Sequence, residues 1–126
     1  MITGTRKENL AALIKINDHE LVSGVSEKLG GNNEGPTPHE LLESALAACT
    51  IITVQMYANR KQWNLKSTNV AVKIISEDKT GTVIQRDVSF EGDLTSEQKQ
   101  SLLDIANKCP VHKLLSGPIE IKTLAV

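Results

Sequence analysis

The chain has 126 residues, enough to bury one hydrophobic core and too few for two ordinary domains, so a single domain spanning 1–126 is expected. Its 14 Lys and Arg against 15 Asp and Glu leave a net charge of −1 with no long block of one sign, which excludes the footprint of a nucleic-acid binder. With only Trp63, Tyr57 and Phe90 as aromatics there is no platform for stacking bases, and Leu, Ile, Val and Ala must fill the interior.

Residues 1–9 lack the apolar stretch of a signal peptide, and no later run approaches the roughly 18 apolar residues of a membrane span. A cytoplasmic protein with no membrane partner is therefore expected. In that reducing compartment, Cys49 and Cys109 would pair transiently if they pair at all.

In chain order, residues 9–25 are apolar and β-branched on both sides of Asn17-Asp18-His19-Glu20, which predicts a β-hairpin. Residues 30–38 concentrate Gly, Asn and Pro and predict a loop. Thr37-Pro38-His39-Glu40 then matches a capping box, with Thr37 as cap, Pro38 at the first helical position and Glu40 reaching back. From it runs a helix over about 38–60, with Leu41, Leu42, Ala45, Leu46, Ala48, Cys49, Ile52 and Met56 at spacings of three and four. Because Ala47, Ile51 and Val54 add apolar character to its other faces, this helix should be buried on most sides.

Residues 69–76 and 82–91 predict a second hairpin turning through Glu77-Asp78-Lys79-Thr80-Gly81. Thr95-Ser96-Glu97-Gln98 is another capping box, followed by Leu102, Ile105, Ala106 and Cys109 on one helical face, and the pattern halts before Pro110. A short helix over 110–116 and a strand over 119–124 complete the order ββ-α-ββ-α-α-β. The class is α+β, with antiparallel hairpins and segregated helices. One small sheet cannot cover a helix apolar on most faces, so a second copy of the chain is expected to pack against it as a homodimer.

The chemistry centres on the cysteines. Cys49 lies in the apolar stripe of the long helix, where a small core hydrophobe would also fit. Cys109 precedes Pro110 at a helix start, where free amides favour a thiolate, although a plain helix boundary explains it equally. Read alone, these positions make Cys109 the more acidic thiol. Cys109-x-x-His112 with Cys49 and His39 could assemble a metal site, but four singly scattered ligands are a weak pattern, and no metal or cofactor is expected. Glu40 is accounted for by the capping box, though a capping carboxylate can also hold an arginine beside a thiol. The glycine loop has neither phosphate-loop nor dinucleotide spacing, so no nucleotide site is read there.

Gly31-x-x-x-Gly35-Pro36-Thr37-Pro38-x-Glu40-Leu41-Leu42, then Ala45-Leu46-Ala47-Ala48-Cys49-Thr50 and, later, Gly92-x-Leu94-Thr95 and Cys109-Pro110-Val111-His112 closely resemble the OsmC/Ohr family over nearly the whole chain. The resemblance implies an OsmC-like fold, built as an intertwined homodimer with active sites at the interface. It also implies a Cys-based peroxidase acting on organic hydroperoxides. In the family, the cysteine matching Cys49 attacks the peroxide and the one matching Cys109 resolves the sulfenic acid, which reverses the ranking above. An external dithiol, in the family of the lipoyl type, would reset the disulfide.

A thiol such as Cys49, in apolar surroundings, needs an arginine fixed by a carboxylate to ionise it. The family's activating arginine comes from its amino-terminal strands, and Arg6 is the only Arg before the helix; Arg60 and Arg86 lie beyond it. The organic-hydroperoxide branch carries Glu directly after the proline, where this chain has His39, so the acid would be Glu40. The alternative to an enzyme is a non-catalytic OsmC-like protein that binds a small ligand or senses redox state.

Overall fold

The computed structural model describes all 126 residues, which form two compact units, Met1–Leu42 and Glu43–Val126. In the first, β1 (Ile2–Arg6), β2 (Ala12–Ile16) and β3 (His19–Ser23) form an antiparallel sheet in that order. The β2–β3 turn is shorter than the expected tetrad: Ile16 pairs with His19, and Asn17 takes φ 54°, the left-handed geometry of a two-residue hairpin. Strand β1 was not expected, because Thr3-Gly4-Thr5 carries no apolar pattern; backbone pairing with β2 alone makes it a strand.

The loop at 24–37 lies along the end of β3. The Gly24 and Asn33 amides donate to Pro36 O and Val25 O at 3.2 and 2.9 Å, and the Ser23 hydroxyl donates to Pro36 O at 2.8 Å. At Gly35 a Cβ would run into Val22 O, so the glycine is required by close approach of two backbone segments. From this loop the chain enters α1 (Pro38–Lys61) through the expected capping box: the Thr37 amide donates to Glu40 Oε1 at 2.8 Å and the Glu40 amide to Thr37 Oγ1 at 3.2 Å.

In the second unit α1 is followed by a long hairpin, β4 (Asn64–Asp78) and β5 (Gly81–Asp93), then α2 (Ser96–Ala106) and α3 (Pro110–Ser116). Its core is Val54, Ala58, Leu65, Leu102 and Ala106, with Tyr57, Trp63, Phe90, Leu94 and Ile105 packed around it. Glu43 Oε2 accepts the Ile74 amide at 3.0 Å beside a bulge in β4, tying α1 to the hairpin.

The strands outrun the 69–76 and 82–91 expected, because polar residues at both ends still pair through backbone. The Thr95 and Gln98 capping box is present in full. Helix α2 ends at Ala106, so Cys109 is not on its face: Pro110 forces extended geometry on the residue before it, and Cys109 (φ −63°, ψ 146°) is instead the N-cap of α3.

Two further expectations are corrected. Residues 119–124 form no strand: their alternation supplies a face, but no neighbouring edge takes their amides and carbonyls, and Ile121 and Leu124 are 84% and 85% exposed. Helix α1 does have the length and apolar composition of a membrane span, with mean hydropathy 1.4 over its best window. Its apolar residues divide in two, however. Leu46, Thr50, Val54 and Ala58 are buried, while Ala45, Ala48, Ile52 and Met56 form an exposed stripe on the opposite side. The helix is therefore packed within this unit along one face, and the opposite face is the one an expected second copy would cover.

Candidate functional site

Cys49 sits on the flank of α1, between its buried face and its exposed stripe, one turn before Thr53. Cys109, at the start of α3, is fully buried, whereas Cys49 is half-buried and can be reached. Both thiols are free, and the Cys109 thiol is among the groups that favour the Cys49 thiolate, so the fold brings residues 60 positions apart into one electrostatic group. Burial pushes the Cys49 thiol up, but the Val111 amide, the Thr53 hydroxyl, the Cys109 thiol and the Arg86 charge together outweigh it and hold Cys49 below the ordinary thiol value. The Thr53 oxygen lies 3.8 Å from Cys49 Sγ. Cys109 Sγ in turn accepts the His112 amide at 3.4 Å.

Behind the thiols lies Arg86 of β5, half-buried and gripped by four neutral partners. Nη1 donates to Thr50 Oγ1 at 3.0 Å and approaches Cys109 Sγ at 3.9 Å. Nη2 donates to Asn107 Oδ1 at 2.9 Å and to His112 Nδ1 at 3.0 Å. Thr50 can receive Arg86 because its own proton goes to Leu46 O at 2.7 Å, which turns the oxygen lone pairs towards the guanidinium. Since a guanidinium only donates, His112 Nδ1 is the acceptor and the ring proton is on Nε2. Burial and the Arg86 charge both lower the His112 pKa, keeping the ring neutral.

The other residues singled out in the sequence have local roles. Glu40 holds the first turn of α1, and its hydrogen bonds from the Thr37 amide and hydroxyl lower its pKa. Arg6 ends β1 in the first unit, where Nη1 donates to Asn9 O at 3.5 Å. No group of three or more His, Cys, Asp and Glu side chains is arranged to hold a metal ion. The residues that sequence reasoning missed are Arg86, Thr50, Thr53 and Asn107. Arg86 carried a signal in retrospect, as an arginine at an inward register position of a strand that otherwise turns Ile84 and Val88 to the same side.

The family model of the OsmC-like proteins matches residues 31–124, a stretch holding both cysteines and Arg86. The chain belongs to the OsmC-like family. No curated protein matches it significantly. Among solved structures, this OsmC-like chain is similar to a protein from Psychrobacter arcticus assigned to osmotic stress induction and detoxification (TM-score 0.77, 18% identity, 90% of this chain and 85% of that one). It is also similar to an OsmC-like protein from Mycoplasma pneumoniae (0.75, 20%, 93% and 86%). An organic hydroperoxide resistance protein from Elizabethkingia anophelis, with thiocyanate bound, is a further likeness (0.67, 22%, 95% and 91%). These likenesses show that the α+β fold with antiparallel strands and one long helix is the OsmC fold.

Proposed function

We propose that this OsmC-like protein is a thiol peroxidase that reduces organic hydroperoxides through Cys49 and Cys109. The carrying observation is a reachable Cys49 whose pKa is lowered, with the buried Cys109 among the groups that lower it. The Cys49 thiolate attacks the terminal peroxide oxygen; the O–O bond breaks, an alcohol leaves after taking a proton, and Cys49 becomes a sulfenic acid. Cys109 then attacks that sulfur, water leaves and the disulfide forms. A dithiol, of the lipoyl type in our reading, exchanges with the disulfide and restores both thiols.

Arg86 is assigned the cationic part, because it bonds to the thiol group, whereas Arg6 and Glu40 each have a partner close by in sequence. The exposed stripe of α1 supports a homodimer: Ile52 and Met56 are each 58% exposed beside Cys49, and a second copy would give the peroxide an apolar approach. The protein is proposed to work in the cytoplasm.

The test is to add one equivalent of cumene hydroperoxide to the reduced protein and follow intact mass. The wild type should lose about 2 Da as the disulfide forms, Cys49→Ser should not react, and Cys109→Ser should gain one oxygen and, on addition of excess peroxide, pass beyond the sulfenic acid. Thiols that survive in the wild type would overturn the proposal.

A further inference from the structure

Within the second unit, β5, α2, α3 and Leu46 of α1 enclose a cleft of about 620 Å³, a size suited to a small organic molecule. Neither cysteine lines it. One part of its wall is aliphatic, with Leu46, Val88, Leu103 and Leu115, and the other is polar, with Thr82, Arg86, Asn107, His112 and Ser116. Every hydrogen bond that Arg86 makes goes to an uncharged partner, and none goes to a carboxylate. A half-buried guanidinium at such a cleft lacks the counter-charge that would offset its lost hydration. Its planar donors match a carboxylate in two-pronged geometry, and His112, with its ring proton on Nε2, keeps one more donor. A single fixed cation suits a head group of one negative charge rather than a phosphate dianion.

We propose that this cleft binds a monocarboxylate with an aliphatic body, its carboxylate on Arg86 and its chain along the Leu46, Val88, Leu103 and Leu115 walls. The cleft adjoins the thiol group through Arg86, and carboxylate binding there is measured independently of peroxide turnover. Arg86 belongs to both, so a bound carboxylate would compete with Asn107 and His112 for Nη2 while Nη1 stays on Thr50.

Isothermal titration of the reduced full-length protein with octanoate should give saturable binding of one molecule per chain. Octanol and acetate, which keep only the chain or only the charge, should bind at least tenfold more weakly. Arg86→Gln should lose tenfold or more in octanoate affinity. Val83→Glu, at a cleft position 52% exposed and so tolerant of substitution, should do the same by repulsion, with thermal melts confirming that each variant folds. Octanol binding as tightly as octanoate, octanoate affinity unchanged in Val83→Glu or Arg86→Gln, or no saturable binding at all would overturn the proposal.

Discussion

At the residue scale, the contest at Cys49 is between desolvation, which raises a thiol pKa, and donors that favour the thiolate. Three hydrogen bonds and the Arg86 charge win, although burial is the largest single effect. The rate of Cys49 alkylation by iodoacetamide should therefore rise with a midpoint below the ordinary thiol value of about 8.5. Thr53→Val, which removes one donor while keeping the shape, should move that midpoint upward; an unchanged midpoint would mean that the hydroxyl does not act on the sulfur.

His112 sets a second pH dependence. Its folded pKa lies below its unfolded value of about 6.5, so below that pH the unfolded chain binds more protons than the folded one. The neutral ring's contribution is complete above about pH 6.5 and is lost as pH falls from there through the lower folded value. Urea melts of His112→Gln should show a flatter loss of stability across that window than wild type. Equal slopes would remove His112 as the cause.

At the element scale, the β4–β5 hairpin carries Arg86 to the thiols, and its geometry depends on Gly92. That residue has φ 140°, and a Cβ there would strike Asn64 O where β4 leaves regular register between Leu65 and Ser67. Gly92→Ala combines backbone strain with a clash and should cost about 1–3 kcal/mol, read as a lower urea midpoint at unchanged slope. The same element shows what periodicity can and cannot deliver. Ile84, Val88 and Phe90 marked β5 as a strand whose alternation puts Arg86 on their side, but only the packing of that side against α1 and α3 shows that it meets Thr50, Cys109 and His112. The capping boxes at Thr37 and Thr95 were readable because each is a local hydrogen-bond pair within four residues.

At the scale of the whole molecule, the exposed stripe on α1 decides the expected assembly. Ile52 and Met56 stand in water in the single chain, and covering them is worth roughly 1.5–3 kcal/mol per fully buried side chain. Sedimentation should show a dimer, and the double substitution Ile52→Asp with Met56→Asp should leave monomers, since two carboxylates at one contact resist desolvation. A wild-type monomer at micromolar concentration would refute the assembly. The segment at 117–126 makes the related point that strand propensity needs an edge to pair with: Ile119, Ile121 and Leu124 alternate as a strand should, yet within one chain they remain unpaired.

The local text was sufficient for the long helix and its cap, the main hairpin turns, the α+β class and the two cysteine contexts with their family likeness, because each depends on neighbours a few residues apart. Residues remote in the chain escaped it. The influence of Cys109 on Cys49, the reach of Arg86 to both Thr50 and His112, and the lowered pKa of Cys49 arise only when α1, β5 and α3 are packed together. Cys49 draws its donors from Val111, Thr53 and Cys109, two of them supplied by chain some 60 residues away. Electrostatics at a site depend on distance in space, and distance in space is what folding alone assigns.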